Sequence, residues 1–154
     1  MAPSIILELG TRRRFASQLR QSGRREIGGI LFGEQLAPGQ FRLVDFTVDN
    51  ATGSAAHFCR TAEQHSKELE NFFDKTGREF AKYNYLGEWH SHPSFPVEPS
   101  AQDSRSMSEL VHGETDIGFA ALLIVRLDFL LFLRVGAVMF SRNNAPEQIR
   151  IIRR

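Results

Sequence analysis

The chain has 154 residues, of which 42% are hydrophobic, enough for one domain with a sizeable core and short for two. Its formal charge of +1 excludes a strong general attraction for nucleic acid. Cys59 is the single cysteine, which excludes an internal disulfide framework and is typical of a reducing compartment.

No secretory leader or transmembrane segment is recognisable in the sequence. The longest apolar run, residues 117–125, is too short to span a bilayer. We therefore expect a single domain over residues 1–154 that is soluble and cytoplasmic. We expect neither nucleic acid nor a membrane as its partner.

The first third of the chain predicts a strand, a helix and a pair of strands. Ser4–Leu9 is a short apolar run that predicts a strand. Thr11–Gln21 has helical periodicity, with three apolar residues on the face expected to be buried: Phe15, Ala16 and Leu19. Arg25–Gly33 is apolar after its first two residues and carries paired glycines, which predicts a buried strand that another segment approaches closely. After a turn, Phe41–Val48 is the expected antiparallel partner.

The clearest predicted helix covers residues 62–82. Thr61 can cap its N terminus, and Gln64 can reach back in the reciprocal arrangement of a capping box. Its apolar stripe is typical of ordinary core packing and consists of Leu69, Phe72, Phe73 and Phe80.

The rest of the chain predicts more strands and one more helix. Tyr83–His92 is predicted as a strand that ends at a proline, because proline cannot donate to a ladder. A polar-rich helix is expected from Ser100 to about Val111. The remaining predicted strands are an antiparallel hairpin, Ile117–Arg126 with Asp128–Val138, and a last strand, Ile149–Ile152. Together these elements predict a mixed α/β (α+β) domain, in which a largely antiparallel sheet is flanked by about three helices.

Residues 87–103, GEWHSHPSFPVEPSAQD, are too polar for a core and contain two histidines one residue apart. Side chains two residues apart on a strand point to the same face, so His90 and His92 would project together. Asp103 can join them if the proline-rich loop between folds back. Two imidazoles and one carboxylate leave the fourth position of a tetrahedral zinc ion open, which is typical of a catalytic site.

Each half of this pattern also has a simpler interpretation. The two histidines can be partly exposed residues at the end of a strand. Ser100 and Asp103 can form a helix-capping box with no metal. Neither interpretation explains why the two halves adjoin. Taken together, His90, His92 and Asp103 favour a metal site.

Other residues suggest weaker hypotheses. His57 and Cys59 form at most half of a second metal site, since no further pair completes it. Ser91 lacks the glycines of a nucleophile elbow, so a structural hydroxyl is expected, and core packing is expected for Trp89. Arginines crowd the first predicted helix and its exit at positions 12, 13, 14, 20, 24 and 25, as a solvated face or as a patch that docks a partner.

The spacing of the polar stretch resembles the JAMM (MPN+) zinc metalloprotease motif. The letters H-S-H-P at residues 90–93 are followed, after a proline-rich loop, by S-x-x-D at residues 100–103. Upstream, Glu26–Gly33 is similar to the glutamate strand of that family. The resemblance extends over nearly the whole chain, and the compact length is similar to stand-alone prokaryotic members. It implies a JAMM/MPN-like (cytidine-deaminase-like) fold.

The resemblance also implies a site and an activity. His90, His92 and Asp103 would hold a zinc ion, with a water completing its shell. Glu26 would be the general base and later the proton donor, and Ser100 would help to stabilise the tetrahedral intermediate. The implied reaction is hydrolysis of the peptide or isopeptide bond that follows the C terminus of a ubiquitin-like protein, with the zinc-bound water as nucleophile.

Three alternatives stay open at this point. A compact member of the family can instead trim the tail of a sulfur-carrier protein. The family also includes zinc-free scaffolds that only assemble complexes, but those lose ligands, and this chain has all three ligands and the glutamate. A DNA-associated role, as in the related RadC proteins, is disfavoured because the chain lacks room for their N-terminal helical module and has no net basic excess.

Overall fold

The computed structural model describes residues 2–49, 62–113 and 117–154. Within these ranges the chain forms three helices and eight strands, as a mixed α+β fold. Their order is β1 (Ser4–Leu7), α1 (Leu9–Ser22), β2 (Gly28–Ala37), β3 (Gln40–Phe46), α2 (Ala62–Lys75), β4 (Tyr83–Ser91), α3 (Ala101–Gly113), β5 (Phe119–Asp128), β6 (Phe132–Ser141), β7 (Glu147–Gln148) and β8 (Arg150–Arg153). No helix in the described ranges is long and apolar enough to cross a membrane.

The strands form one sheet in the order β7-β6-β5-β4-β2-β3-β1-β8. Four neighbouring pairs are antiparallel (β2–β3, β2–β4, β5–β6 and β6–β7), and three are parallel (β1–β3, β1–β8 and β4–β5). The predicted β2–β3 pair and the predicted β5–β6 hairpin are therefore confirmed. The two ends of the sheet meet, because only Ile149 separates β7 from β8, and its N–H donates to the carbonyl of Ala137 on β6.

The predicted second helix extends too far. It ends at Lys75 because the chain reverses at Gly77 and Arg78, which have φ values of 69° and 58°. Phe80 therefore lies beyond the helix and is 49% exposed, although its ring meets that of Phe73 edge-on at 4.8 Å between centroids. The capping box predicted at Thr61 and the half-site predicted at His57 and Cys59 lie outside the described residues.

Both faces of the sheet are covered. On one face α1 packs Phe15 against Phe46, with stacked rings 3.9 Å apart, and against the edge of Trp89 at 5.0 Å. The helix buries the three residues predicted from its periodicity, Phe15, Ala16 and Leu19. On the other face α3 packs its buried residues against β5, and α2 stacks Phe72 on Phe32 at 4.5 Å. Strand β5 is therefore buried on both sides, as its continuous apolar run requires.

The paired glycines of β2 are approached closely by the chain itself. A Cβ at Gly29 would lie 2.0 Å from the carbonyl oxygen of Thr47, which follows β3. The same carbonyl accepts a hydrogen bond of 2.8 Å from the indole nitrogen of Trp89, which is fully buried. The close approach predicted from the glycines is therefore confirmed. These contacts through Thr47 hold β2, the C-terminal end of β3 and β4 together, at the edge of the sheet where β4 terminates.

Candidate metal centre

Strand β4 presents two imidazoles at its C-terminal end. His90 pairs with Gly28 on one side and Ile124 on the other. Although β4 ends at Ser91, the N–H of His92 still donates to the carbonyl of Val125 at 2.9 Å, so the extended pairing reaches the second histidine. The two Nε2 atoms lie 3.0 Å apart, and both side chains are about nine-tenths buried. The two histidines therefore meet, as the strand spacing predicts.

The proline-rich loop, residues 93–99, orients the second histidine. Nδ1 of His92 lies 2.9 Å from the carbonyl oxygen of Pro96. A carbonyl can only accept, so Nδ1 carries the hydrogen, and the Nε2 of a neutral His92 keeps its lone pair. A hydrogen bond of this kind also fixes the ring orientation in metal sites.

Helix α3 begins with a capping box that carries the third candidate ligand. The Oγ of Ser100 accepts from the backbone N–H of Asp103 at 3.0 Å, and Oδ2 of Asp103 accepts from the N–H of Ser100 at 2.8 Å. The same Oδ2 lies 3.3 Å from Nε2 of His90 and 3.6 Å from Nε2 of His92. The capping box considered as an alternative is therefore present, and its carboxylate also faces the imidazoles.

These three atoms fit a tetrahedral zinc ion. Ligand bonds of about 2.0–2.1 Å at tetrahedral angles place neighbouring ligand atoms about 3.3–3.4 Å apart. The three separations here, 3.0, 3.3 and 3.6 Å, lie on either side of that value. Two nitrogen lone pairs and a carboxylate oxygen converge at one place, and a cation there satisfies all three.

Burial and hydrogen bonding shift the pKa values in this cluster. Burial acts to raise the pKa of Asp103, but hydrogen bonds from His90 and His92 outweigh it and hold that pKa well below its usual range. The hydrogen bond to Asp103 raises the pKa of His92, although burial opposes the shift. The carboxylate therefore stays ionised, and in the absence of a metal His92 retains a proton to a higher pH than usual.

Glu26 reaches the same end of the sheet from β2. The next residue, Ile27, donates its N–H to Oγ of Ser91 at 3.0 Å and accepts from the N–H of Ser91 at 2.8 Å. Continuing this register places Glu26 opposite His92. Burial raises the pKa of Glu26, with the charges of His92 and His90 acting against it. Ser91 is itself buried and serves as the structural hydroxyl predicted for it.

Two residues that support the site were missed in the sequence. Arg126 donates from Nη1 to the carbonyl of Phe95 at 3.0 Å, and a Cβ at Gly136 would lie 2.0 Å from the carbonyl oxygen of Val97. Arg126 holds the loop of residues 93–99 against the sheet, and Gly136 leaves the room that this close approach needs. A glycine inside a strand signals close approach of another segment, so Gly136 was recognisable in principle, but its partner was not.

Known proteins resemble this chain over most of its length. A curated relative from Enterobacter hormaechei subsp. hoffmannii (strain UCI 50), named "CD-NTase/cGAS isopeptidase", is 30% identical over 152 residues, 96% of this chain and 81% of that one. A protein of the same name from Vibrio cholerae serotype O1 (strain ATCC 39315 / El Tor Inaba N16961) is 29% identical over 109 residues, 69% of this chain and 65% of that one.

The fold and the family are also recognised. The solution structure of protein DSY2949 from Desulfitobacterium hafniense aligns with a TM-score of 0.72 at 20% identity, over 97% of this chain and 92% of that one, which shows a shared fold. The family model of prokaryotic homologs of the JAB domain matches residues 9–145. The chain therefore belongs to the prokaryotic JAB-domain family, the compact branch of the JAMM/MPN+ proteins that its motif resembles.

Proposed function

We propose that this protein is a zinc-dependent metallopeptidase that hydrolyses the peptide or isopeptide bond following the C terminus of a ubiquitin-like protein. The observation that carries the proposal is the convergence of Nε2 of His90, Nε2 of His92 and Oδ2 of Asp103 within 3.0–3.6 Å. Both named relatives are isopeptidases, which supports a hydrolase. His90, His92 and Asp103 are the proposed ligands. A bound zinc would supply Lewis acidity and lower the pKa of water from 15.7 toward about 7.

Glu26 is the proposed general base. Its carboxylate takes a proton from the attacking water and delivers it to the leaving amine, so it must both accept and donate near neutral pH. Burial raises the pKa of Glu26, which moves the group toward that range. Its position beside His92, fixed by the hydrogen bonds between Ile27 and Ser91, favours this role over the other carboxylates near the site.

Ser100 is the proposed donor to the developing oxyanion. Its Oγ accepts from the backbone of Asp103, and among the residues that the structure describes none accepts from its own O–H, which can therefore donate. The side chain is exposed at the start of α3, where a substrate carbonyl can approach. One well-aimed donor of this kind is worth about 3–4 kcal/mol in the barrier.

Two substrates are proposed. The names of the relatives favour an isopeptide bond formed by a CD-NTase, which would take the place of the ubiquitin-like protein. Tail trimming of a sulfur-carrier protein is the second candidate, because the same site can cut either bond. A non-catalytic scaffold is disfavoured, since no ligand side chain and no base is missing from the cluster.

The test combines metal content with cleavage. Ubiquitin, a sulfur-carrier protein ending in Gly-Gly and a CD-NTase are each joined through the C-terminal carboxyl to a reporter lysine peptide, and the products are weighed by mass spectrometry. We expect one equivalent of zinc in the purified protein and cleavage of at least one conjugate. Loss of zinc on His92→Ala but not on His112→Ala, a matched change on α3, supports the ligand set.

The role of Glu26 needs a separate variant. We expect Glu26→Gln to retain zinc and to lose nearly all turnover, because glutamine cannot accept the proton. Glu98→Gln, a matched change of an exposed carboxylate on the loop of residues 93–99, should leave turnover unchanged. An active Glu26→Gln enzyme rules out this base, and a zinc-free wild type rules out the metallopeptidase.

A further inference from the structure

The turn between β5 and β6 exposes four consecutive large apolar side chains. Phe129 is 90% exposed, Leu130 66%, Leu131 64% and Phe132 60%. Side chains of this size contribute about 150–250 Å² each when fully exposed, so these four present on the order of 500 Å² of apolar surface. Patches of that size on a single protein are often functional. We call residues 129–132 the apolar tip.

Local backbone preference does not account for the apolar tip. Phe129 and Leu130 have φ values of 55° and 59°, the left-handed region that large side chains rarely adopt. The N–H of Leu131 donates to the carbonyl of Asp128, which closes a turn with positive φ at both central positions. Asn-Gly and Asp-Gly suit such a turn, whereas Phe-Leu is unfavourable both in the turn and in water.

The apolar tip lies beside the candidate metal centre. Strand β5 pairs with β4, and the backbone of His92 bonds to Val125, four residues before Phe129. Arg126 links the two regions. Its Nη1 donates to the carbonyl of Phe95 on the loop of residues 93–99, which we call the site loop, and its Nε donates to the carboxylate of Asp128 at the base of the apolar tip. Phe95 is itself 58% exposed, which extends the apolar surface toward the site.

Cationic side chains surround the apolar tip. Arg20 at the end of α1 donates to the carbonyl of Leu130 at 2.9 Å, and Arg153 donates to the carbonyl of Leu133 at 2.9 Å. Arg134 and Arg126 both bind Asp128, so the carboxylate at the base is more than neutralised. The surface is therefore apolar at its centre and positive at its rim.

We propose that the apolar tip docks the folded body of the protein whose C-terminal tail is cut. This inference rests on the proposed function. The chemistry of the surface requires a partner face with an apolar centre and acidic residues around it. Its continuity with the site favours the substrate over a membrane or a second copy, because a tail held at the metal centre brings its own folded domain to this end of the sheet.

The proposal implies a length for the free tail. A strand rises about 3.3 Å per residue, so Asp128 at the end of β5 lies about 10 Å from Val125, and the apolar tip begins just beyond it. An extended peptide covers the span to the tip in about four residues. The proposed partner is a domain whose apolar face lies about four extended residues before the bond that is cut.

The test replaces the apolar tip with residues that suit its turn. In the double variant Phe129→Asn/Leu130→Gly the apolar surface shrinks while the backbone conformation becomes favourable, so the fold is retained. The substrate is whichever protein conjugate the wild type cuts, compared with its last four residues alone carrying the same reporter. Leu36→Asn is the matched control, since Leu36 is 46% exposed near the opposite end of β2.

We expect KM for the whole protein conjugate to rise about tenfold or more in the double variant, with turnover of the four-residue substrate unchanged. Leu36→Asn should change neither. Equal kinetics on the whole conjugate overturn the inference while the proposed function stands. If the wild type cuts no conjugate, the proposed function fails and the inference fails with it.

Two further outcomes assign the apolar tip to another partner and also overturn the inference. The first is a wild-type dimer in sedimentation analysis that becomes a monomer in the double variant. The second is wild-type binding to phosphatidylserine vesicles that the double variant loses.

Discussion

Ser100 and Asp103 hold each other at the start of α3. The N–H of Ser100 lies 2.8 Å from Oδ2 of Asp103, and the N–H of Asp103 lies 3.0 Å from Oγ of Ser100. The same Oδ2 is 3.3 Å from Nε2 of His90. One carboxylate oxygen therefore caps the helix and faces the imidazoles, so the position of the helix start and that of the proposed ligand are coupled.

Substitutions at Asp103 separate these two tasks. Asparagine keeps an oxygen that can accept from the N–H of Ser100 but lacks the negative charge. We expect Asp103→Asn to weaken zinc binding at least about 100-fold and to change the free energy of unfolding little. Asp103→Ala should weaken zinc similarly and also lose about 1 kcal/mol of stability. Zinc competition with a chelating dye and urea unfolding in EDTA measure the two effects.

Ser100→Ala is the control for the contribution of helix capping to stability. It removes the acceptor for the N–H of Asp103, so we expect a loss of about 1 kcal/mol with zinc retained. An Asp103→Asn protein that binds zinc as tightly as the wild type would show that the carboxylate is not a ligand.

Zinc affinity should depend on pH through His92. The hydrogen bond to Asp103 raises the pKa of His92, and zinc binds the neutral imidazole. Affinity should therefore fall, by up to about tenfold per pH unit for one proton, as the pH drops below that raised pKa. The pKa of Asp103 is held below its usual range despite burial, so its carboxylate adds no competing proton. Zinc titrations between about pH 8 and pH 5.5 test this, and a flat profile contradicts it.

Without zinc the same proton should stabilise the fold. The folded-state pKa of His92 lies above the unfolded value of about 6.5, so the contribution is complete below that pH and is lost as the pH rises through the folded value. Urea unfolding in EDTA should show this trend in the wild type and lose it in His92→Ala. His112→Ala should keep the wild-type trend.

Gly136 is expected to control the loop that orients His92. A Cβ at this position would lie 2.0 Å from the carbonyl oxygen of Val97, so Gly136→Ala must displace the loop. The loop supplies the Pro96 carbonyl to Nδ1 of His92. We expect a loss of about 1–3 kcal/mol in unfolding free energy and weaker zinc binding. Gly118→Ala, where nothing lies within 4 Å of the added Cβ, is the control, and equal zinc affinity in the two variants excludes this role.

The ion pairs of Arg42 differ in burial. Glu34 is 6% exposed and pairs with Arg42, whereas Glu8 is an exposed partner of the same arginine at 3.3 Å. Arg42→Leu leaves the Glu34 carboxylate buried without this partner, and we expect a loss of about 1–3 kcal/mol. Glu8→Ala should cost less than about 1 kcal/mol. Urea unfolding compares them, and similar losses contradict the distinction.

Local patterns predicted much of the candidate site. His90 and His92 share a face because side chains on a strand alternate, and Ser100 with Asp103 form a motif that is complete within four residues. The position of Glu26 depends on which strand pairs with β4, and without the family motif the sequence left that base open. The contacts of Arg126 and Gly136 with the site loop join segments about 31 and 39 residues apart, and no local periodicity reports them.

The outlines of the fold were predicted better than its element ends. Strand β1 is shorter than expected, because Leu9 already belongs to α1, and β2 continues past Gly33 to Ala37. The end of α2 was missed because Arg78 adopts a positive φ, which a residue with a Cβ rarely does. The adjacency of β7 and β8 around Ile149 depends on the tertiary structure. The two segments are too short to show a sequence pattern, and they form strands by pairing with β6 and with β1.

Strand β4 lies inside the sheet, hydrogen-bonded to β2 on one side and to β5 on the other. The amides of its last residues can therefore exchange with solvent only when two neighbouring strands open with it. In hydrogen-exchange measurements the amides of residues 88–91 should be among the slowest of the protein, close to the limit set by global unfolding. Fraying at the termini then leaves the backbones of the two histidines in register. The backbone pairing that carries His90 and His92 persists for as long as the domain itself stays folded, whereas the orientation of the His92 ring also depends on the loop of residues 93–99.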